Sequence, residues 1–462
     1  MGRLVIVSNR VLLPGARSGR AGGLAVALRD ALRGRSGIWF GWSGATADVT
    51  SAEPRIAQAG PIQYATLDLG ASDFELYYNG YCNGTLWPLL HYRLGLLEFR
   101  RESLEAYLRV NEIFAEALSS LLRPDDLIWV HDYHLIPLAA SLRSRGAANR
   151  IGLFLHTPFP PPAVFTTLPR YEILVNALAS YDLIGLQTEG DRGNLCRTIA
   201  QHRQVELTPE GDVDLGARHL RIRAFPIGID AAGVRNMAES MSRGPEARRL
   251  VQSLGDRQLI LGVDRLDYSK GLPQRFEAFE RLLVDYPEHR SKVTFMQIAP
   301  VSRGEVRQYR ELRRELDRRA GRINGKFAEF DWVPLRYLNR SFGRHVLAGF
   351  YRHARVALVT PLRDGMNLVA KEWVAAQDAA EPGALVLSRF AGAAYELADA
   401  LLVNPLDSDA MAEALHRALI MPPEERRERW RAMMRGVAGN TAAAWRDAFL
   451  DLLESELAPV LA

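Results

Sequence analysis

The stretch LIWVHDYHLIPLAASLRSR, residues 127–145, begins with the apolar run Leu127 to His131 and continues with helical spacing from Leu135 to Arg145. A short apolar run followed by a periodic segment is typical of a buried strand leading into a helix. Similar runs occur on both sides of it: Leu4 to Ser8, Ile38 to Gly41, Ile151 to His156 and Leu183 to Gln187. With another helical pattern at Leu104 to Leu122 between them, this half of the chain is predicted to form a mostly parallel, doubly wound sheet.

The same alternation starts again further along the chain. The apolar runs of this second series are Leu259 to Val263, Val293 to Ile298, Val356 to Thr360, Leu385 to Ser388 and Leu401 to Asn404. The helical patterns that alternate with them are Pro273 to Leu283, Gly304 to Arg319 and Asn367 to Gln377. The predicted fold class is therefore α/β with two doubly wound domains.

A joint between the two halves is predicted at Phe225 to Asp230, which contains a proline and a glycine before a weakly patterned stretch. We expect a first domain over residues 1–230, a second over 231–440, and a C-terminal helix over 441–462. That helix carries Trp445, Phe449, Leu452 and Leu453 on one face, which favours packing back onto the first domain. Open sheets bind ligands beyond the carboxyl ends of their strands, so the two domains are expected to share a cleft there.

Composition excludes several classes of protein. The 462 residues are 48% apolar and 24% charged with a net charge of +4, which does not indicate a nucleic-acid partner. No apolar run reaches the ~18 residues of a membrane span, and the start of the chain does not resemble a secretory leader. Two cysteines, Cys82 and Cys196, are too few for a disulfide framework, so a cytoplasmic location is expected.

Several candidate ligand-binding residues follow strands of the first half. Arg10 ends the first strand, and the glycine pair Gly22 and Gly23 precedes a helix, where free amides suit a phosphate, although a plain tight turn is an equal alternative. Asp132 follows the strand at 127–131 and suits ligand hydroxyls, with a helix N-cap as the alternative. The histidines around it lack a third zinc ligand at the usual spacing. His156 ends the next strand in a proline-rich turn.

Cations follow strands of the second half. Arg265 and Lys270 stand five residues apart before a glycine and a helix, and Arg303 repeats the arrangement after the next strand. Such a pair suits a departing diphosphate, with a solvated basic loop as the alternative. Asp364 and the amides that follow it form a turn that faces a ligand after the strand at 356–360. Glu372 lies in the first turns of the next helix, where a carboxylate suits a ribose diol unless it is simply solvated.

Two motifs are set aside as structural. The string Asp212-Val213-Asp214 resembles the metal-binding DxD motif found in one glycosyltransferase architecture but lies in a polar loop, and Asn324-Gly325-Lys326 is predicted to be a turn and not a phosphate-binding loop.

Taken together and in order, the motifs closely resemble those of the trehalose-6-phosphate synthases, retaining glycosyltransferases of the OtsA type. The matching strings are SNR (8–10), AGGL (21–24), FGWSG (40–44), YYN (77–79), LWP (86–88), HDYH (131–134), HTPFP (156–160), RLDYSKG (265–271), SRG (302–304), GRINGK (321–326) and RDGMNLVAKE (363–372). The resemblance implies a GT-B fold, in which two Rossmann-like domains face a central cleft, and a reaction that needs no metal or other cofactor.

The resemblance also implies site residues. The glucose 6-phosphate site would comprise Arg10, Tyr78, Trp87, Asp132 and Arg303, with Trp87 and His156 setting anomer selectivity. The donor site would comprise Gly22, Gly23, Arg265, Lys270, Phe342, Asp364, Gly365, Met366, Asn367, Leu368, Val369 and Glu372. Arg265, Lys270, His156 and Asp364 are the expected catalytic residues.

The implied reaction transfers glucose from a nucleotide-glucose, with UDP-glucose favoured over GDP- or ADP-glucose, to glucose 6-phosphate with retention. Relatives on the same scaffold make glucosylglycerol phosphate or couple cyclitol phosphates, and these acceptors stay open. A sugar-phosphate sensor without catalytic activity is an alternative of another class, whereas a dinucleotide-dependent oxidoreductase would require GxGxxG after the first strand. Family relatives suggest a homodimer or homotetramer.

Overall fold

A computed structural model describes residues 2–13, 28, 32, 36–208, 211–215, 219–304 and 306–455. The described residues up to Pro226, together with those from Ala443 onward, form a first compact unit, and Ile227 to Ala442 form a second. The first unit extends to Pro226, because Phe225 still donates its amide to Leu186 of the first sheet at 2.8 Å, and the second unit begins a few residues before the sequence-based boundary at Asp230.

The first unit contains a nine-stranded sheet with mostly parallel pairing. Its strands are β1 (Leu4–Arg10), β2 (Gly37–Ala47), β3 (Arg55–Ala59), β4 (Ile62–Gly70), β5 (Leu127–His131), β6 (Ile151–Phe154), β7 (Leu183–Leu186), β8 (Val213–Asp214) and β9 (His219–Ala224). They lie in the order β3-β4-β2-β1-β5-β6-β7-β9-β8, and the edge strands β3 and β8 run antiparallel to their neighbours. The central strands β1, β5, β6 and β7 are continuous buried runs, as expected where helices cover both faces of a sheet.

The longer helices of this unit are α1 (Arg101–Ser119), α2 (Leu138–Ser144), α3 (Tyr171–Leu178) and α4 (Glu189–Arg203). A composite helix also follows β4 in three consecutive pieces, Ala71–Asp73, the π-helical Phe74–Leu86 and Trp87–Leu90. Short helical turns lie at Leu94–Leu96, Tyr133–Leu135 and Pro162–Phe165.

The second unit contains six strands, all paired in parallel. They are β10 (Gln258–Val263), β11 (Val293–Ile298), β12 (Leu335–Leu338), β13 (Val356–Val359), β14 (Ala384–Ser388) and β15 (Leu401–Val403). Their spatial order, β12-β11-β10-β13-β14-β15, is the 3-2-1-4-5-6 order of dinucleotide-binding folds.

The helices of the second unit are α5 (Ala231–Met241), α6 (Pro245–Leu254), α7 (Leu272–Asp285), α8 (Arg307–Phe327), α9 (Arg344–His353), α10 (Leu368–Ala376), α11 (Ser408–Ile420) and α12 (Pro423–Gly439). Short turns occur at Tyr268–Lys270, Pro287–His289 and Gly392–Tyr395.

Helix α13 (Ala442–Glu454) returns to the first sheet. The ring centroids of Trp445 and Phe449 lie 4.9 and 5.0 Å from that of Trp129 on β5. The glycines Gly152 and Gly185 on the adjacent strands make room for Phe449, since a Cβ at either position would lie 2.8 Å from its ring. Leu453 is also buried, as the amphipathic pattern predicts, whereas Leu452 is half-buried.

Each sheet has one point at which the strand order reverses. In the first unit β1 pairs with β2 on one side and β5 on the other, and in the second unit β10 separates β11 from β13. Ligands of doubly wound sheets bind beyond the strand carboxyl ends at such switch points. The β1/β5 and β10/β13 loops are therefore the places to examine.

One sequence-based expectation is wrong: Asn324-Gly325-Lys326 is not a turn but the last turn of α8. Buried side chains at helical spacing, Leu316, Ala320, Ile323 and Phe327, hold this end of the helix on the core. Asn324 also bonds the carbonyl and amide of Leu335 through its side chain, which anchors the helix end to β12.

Among the described residues, no helix combines the length and the apolar character needed to cross a membrane.

Candidate active site

Lys270 and Asp364 meet at the β10/β13 switch point. Lys270 ends the turn after β10, and its Nζ donates to Asp364 Oδ2, in the loop after β13, at 2.5 Å. Asn367 Nδ2 donates to the same oxygen at 3.0 Å. Lys270 is 8% exposed, so its ammonium is held on a fixed partner and not in bulk water. The structure thus joins two residues that the sequence places in separate motifs.

Arg275 lies beneath this pair and fixes the loops that carry it. Its fully buried guanidinium donates to Asp264 Oδ2 at 2.6 Å, Gln297 Oε1 at 3.2 Å and Thr360 Oγ1 at 3.1 Å. It also donates to the main-chain oxygen of Lys270 at 3.1 Å. One side chain of α7 therefore ties together the ends of β10, β11 and β13. Sequence reasoning missed Arg275, because an arginine in an amphipathic helix usually indicates a solvated position.

The loop from Asp364 to Asn367 is rigidly anchored. Asn367 has φ 91° and caps α10, accepting the amide of Ala370 on its Oδ1 at 3.2 Å. The amides of Gly392 and Ala393 donate to the carbonyls of Asp364 and Met366 at 3.1 and 2.8 Å. Leu368 and Val369 open the helix just beyond. The first amides of α10 are thereby presented at the strand end, where a helix N-terminus favours negative charge.

Glu372 lies one turn into α10 and is paired with Arg344 of α9, whose Nη2 donates to its Oε1 at 3.0 Å. Burial raises the pKa of the Glu372 carboxyl, and Arg344 opposes that shift. Phe342, just before α9, packs edge-on against Phe350 with centroids 5.5 Å apart, and the Arg340 guanidinium lies 4.6 Å above its ring. Arg344 is a second residue that sequence reasoning missed.

Arg265 and Arg303 follow β10 and β11. Arg265 is exposed, whereas the side chain of Arg303 is 7% exposed and donates to the Tyr309 hydroxyl at 2.6 Å. Asp267, fully buried, lies 3.6 Å from Arg303 and accepts the Tyr309 hydroxyl at 3.1 Å. Burial raises the pKa of Tyr309, which therefore stays protonated at neutral pH. Arg303 has φ 52°, so a strained backbone and a buried carboxylate together fix its direction.

An aromatic cluster surrounds the end of β1 in the first unit. The Arg10 guanidinium lies 5.7 Å from the ring centroid of Trp42, and Trp42 contacts Tyr78 with centroids 5.6 Å apart. Tyr78 also stacks on His134 at 6.0 Å and 16°. Arg10 and Tyr78 therefore both contact the Trp42 ring, which holds the exposed Arg10 guanidinium beside the Tyr78 phenol.

Asp132 follows β5 in a strained conformation, φ 74° and ψ 167°. That region belongs essentially to glycine, and its occupation by another residue costs about 1–3 kcal/mol. Its amide donates to Phe154 O at 2.8 Å, and the amide of His156 donates to its Oδ1 at 3.4 Å. Trp87 is buried nearby, with its ring 5.7 Å from that of Tyr133. Strain of this kind is typical of a residue positioned for a ligand.

His156 lies between two polar side chains of its own sheet. Its Nε2 is 3.2 Å from His131 Nδ1, and its Nδ1 is 3.4 Å from Gln187 Nε2. Withdrawal from water lowers the pKa of His156 to about 3 and also lowers the pKa of His131. Both rings are therefore neutral at pH 7, which suits a fixed hydrogen-bonding group better than a proton carrier.

The site residues selected from the sequence are distributed between the two units. Gly22 and Gly23 lie outside the described residues. Arg10, Tyr78, Trp87, Asp132 and His156 all lie in the first unit, whereas Arg303 lies in the second together with Arg265, Lys270, Phe342, Asp364 to Val369 and Glu372. Asp212 forms an ion pair with Arg223 at 2.6 Å and its neighbour Val213 pairs with β9, so that motif is engaged in the fold.

Comparison with known families decides the classification. The model of glycosyltransferase family 20 matches residues 13–455. The chain belongs to glycosyltransferase family 20. A family 20 relative, a trehalose-6-phosphate synthase from Sinorhizobium fredii, is 49% identical over 459 residues, which cover 98% of this chain and 99% of the relative.

Two solved structures agree with this family 20 assignment. A UDP-forming α,α-trehalose-phosphate synthase from Burkholderia xenovorans in complex with glucose-6-phosphate is 49% identical, with a TM-score of 0.95 over 98% of this chain and 100% of that one. A structure from E. coli bound with UDP-2-fluoro glucose is 46% identical, with a TM-score of 0.93 over 99% and 100%. The resemblance and the fold class predicted from the motifs, two Rossmann-like domains of the GT-B type, are confirmed.

Proposed function

We propose that this protein transfers glucose from UDP-glucose to glucose 6-phosphate, giving α,α-trehalose 6-phosphate and UDP. The family membership, the full-length likeness to a UDP-forming synthase in complex with glucose-6-phosphate, and the likeness to a structure bound with UDP-2-fluoro glucose support it. The observation that carries the proposal is the Lys270–Asp364 pair at the β10/β13 switch point, because a fixed cation at that place suits a diphosphate.

On the donor side, Arg265 and Lys270 would neutralise the diphosphate. Lys270 is positioned by Asp364 and by the bond from Arg275 to its carbonyl. The amides from Gly365 to Val369 would donate to phosphate and glucose oxygens, the Asp364 carboxylate would accept from glucose hydroxyls, and Glu372 would accept from the ribose hydroxyls. Met366, Asn367 and Leu368 would contribute through their main-chain amides in this same segment. Phe342, with Gly22 and Gly23, would complete the donor site.

On the acceptor side, Arg10, Tyr78 and Arg303 would hold the phosphate of glucose 6-phosphate. Arg10 and Tyr78 are ordered by Trp42, and Arg303 by Tyr309 and Asp267. The strained Asp132 would accept a sugar hydroxyl. Trp87 and His156 would select the anomer, with the neutral His156 ring held in place by His131 and Gln187.

The proposed chemistry uses no nucleophile from the enzyme. The acceptor hydroxyl attacks the anomeric carbon from the face that the diphosphate leaves, and the departing diphosphate oxygen takes the hydroxyl proton. Arg265 and Lys270 stabilise the negative charge that develops on the diphosphate, which is the contribution that electrostatic preorganisation makes to such reactions. With two cations in that role, the proposed mechanism requires no metal.

The decisive assay measures nucleoside diphosphate release from UDP-, GDP- and ADP-glucose, each with glucose 6-phosphate, glycerol 3-phosphate or no acceptor. We expect release that requires UDP-glucose and glucose 6-phosphate together, and an α,α-linked product by mass spectrometry and NMR. Turnover with glycerol 3-phosphate instead would assign the glucosylglycerol-phosphate reaction. Tight binding of both sugars without turnover of any pair would contradict an enzymatic role.

Two further expectations accompany this proposal. The cytoplasmic location and the homodimeric or homotetrameric state expected from the sequence stay predictions.

A further inference from the structure

Three metal-ligating side chains meet at the far end of α7 from the candidate active site. They are Glu288 and His289, in the turn that follows α7, and His416 on α11, here called the His289–His416 cluster. His289 Nε2 lies 2.9 Å from His416 Nδ1, and Glu288 Oε1 lies 3.7 Å from that same nitrogen. All three ligand atoms lie within 4.8 Å of one another.

The two imidazoles are held in place before any ligand arrives. The ring of His416 stacks face to face on that of Tyr286, with centroids 4.0 Å apart and planes inclined by 12°. His289 is 7% exposed, and its amide donates to the carbonyl of Tyr286 at 3.1 Å. Tyr286 therefore orders both histidines, one through its ring and the other through its backbone. Glu288 stays half-exposed at the open side.

Two imidazoles and one carboxylate are a ligand set typical of Zn²⁺. Zinc–nitrogen bonds of about 2.0–2.1 Å in a tetrahedral site place two nitrogens about 3.3 Å apart. The facing nitrogens of His289 and His416 need to separate by only a few tenths of an ångström to reach that spacing. Each ring can carry its proton on its other nitrogen, which leaves both facing lone pairs to the metal. Nitrogen-rich sites favour zinc over magnesium or calcium.

We propose that Glu288, His289 and His416 bind one Zn²⁺ ion, with water in the fourth position. The ion would join the end of α7 to α11 across the second unit. Helix α7 starts immediately after Gly271 and has 14 residues, so it is about 20 Å long. The cluster and the Lys270 turn are therefore separated by the length of this helix. The ion is thus a structural link and takes no part in the glucosyl transfer proposed above.

The test uses the full chain, stripped with a chelator and titrated with Zn²⁺ against a chromophoric competitor, and with Co²⁺ as a spectroscopic probe. We expect one tight site per chain, visible Co²⁺ bands of a tetrahedral site, and a rise in melting temperature on zinc binding. His289→Gln and His416→Gln should each weaken zinc binding by at least about tenfold, the smallest loss usual even for changes outside the ligand shell.

Controls separate this site from adventitious binding and from damage to the fold. His202→Gln changes a histidine in the first unit that bonds Asn176, and it should bind zinc as the unmodified protein does. Because His289 is buried, Glu288→Gln at the half-exposed position is the second variant: it should weaken zinc binding and leave the metal-free melting temperature unchanged. Equal affinity in His416→Gln, Glu288→Gln and His202→Gln would overturn the proposal.

Discussion

Lys270 is the residue at which a single substitution should cost most of the catalysis. Lys270→Met removes the ammonium that would stabilise the leaving diphosphate. Removing one preorganised donor of this kind lowers kcat by about 10²–10³. Steady-state UDP release at saturating substrates measures the effect.

The matched control is Lys326→Met. Lys326 of α8 is half-exposed and pairs with Glu280 of α7 at 3.3 Å. Exposed pairs contribute only about 0–1 kcal/mol. Its turnover should equal that of the unmodified protein. A rate for Lys270→Met within twofold of the control would remove Lys270 from the proposed mechanism.

His156 makes the stability of the first unit depend on pH. Its pKa falls from 6.5 to about 3 on folding, so between those values the unfolded chain holds a proton that the folded chain lacks. Stability is therefore complete above pH 6.5 and decreases as the pH falls, by up to about 1.4 kcal/mol per pH unit. Urea unfolding at pH 7.5, 6 and 5 should show this slope, with His131 adding to it because its pKa is also lowered.

His156→Asn should reduce that slope to the part that His131 contributes, since asparagine keeps a hydrogen-bonding side chain without a titrating ring. His202→Asn, a change at the surface of the same unit, should leave the slope as it is. Identical slopes in all three proteins would show that acid instability originates elsewhere.

At the residue scale, sequence reasoning selects candidate ligand-binding side chains and not the residues that support them. Arg10, Asp132, Lys270 and Asp364 are recognisable because they follow apolar runs, and strand ends are where a doubly wound sheet binds ligands. Arg275 looks like any other helical arginine, and its burial depends on residues up to 85 positions away. The positive φ angles of Asp132, Arg303 and Asn367 are equally hidden, because they follow from packing and not from local sequence.

Among the elements, the contact between α13 and the strands β6 and β7 depends on two glycines, Gly152 and Gly185, because they carry no side chain. Gly152→Ala would place a methyl group 2.8 Å from Phe449 and 2.9 Å from Leu453. Overpacking of this size costs about 1–3 kcal/mol of the free energy of unfolding. Chemical denaturation of the first unit should show the loss.

Gly95→Ala is the control, because no atom lies within 4 Å of a Cβ at that exposed position. It should be neutral or slightly stabilising. In a Phe449→Leu background the smaller side chain leaves room, so the additional cost of Gly152→Ala should shrink. A cost that is unchanged in that background would show that the Phe449 contact is not its source.

At the element scale, the sequence predicts the central buried strands and misses the exposed edge strand β3. The central runs such as Leu4 to Ser8 and Val293 to Ile298 are recognisable because both of their faces are covered. The edge strand β3 is largely exposed and carries no such apolar signal. The end of α8 was also misjudged, since its Asn-Gly dipeptide favours a turn and only contacts with β12 and the core override it.

For the molecule as a whole, α13 is the part of the chain that returns from the second unit to complete the first. Phe449→Ala removes an aromatic side chain buried against Trp129 and Phe154, a change that costs about 3–5 kcal/mol. Hydrogen exchange should therefore speed up in β5, β6 and β7. The strands β10 and β13 should keep their protection, because they belong to the other unit.

Uniform acceleration across both units would contradict this division and indicate one cooperative structure. Acceleration confined to α13 would show instead that the first sheet is stable without it.

The return of α13 also sets an order of events during synthesis. A chain leaves the ribosome amino end first, so β5 to β7 emerge long before the helix that covers Trp129 and Phe154. Residues 227–441 take roughly 10–40 s to make at about 5–20 residues per second. Throughout that interval the aromatic surface of the first sheet is exposed on the nascent chain and has to be protected from aggregation. The described part of the second unit from Ile227 onward is made within that interval and is free to fold meanwhile, so the domain begun first is the one finished last.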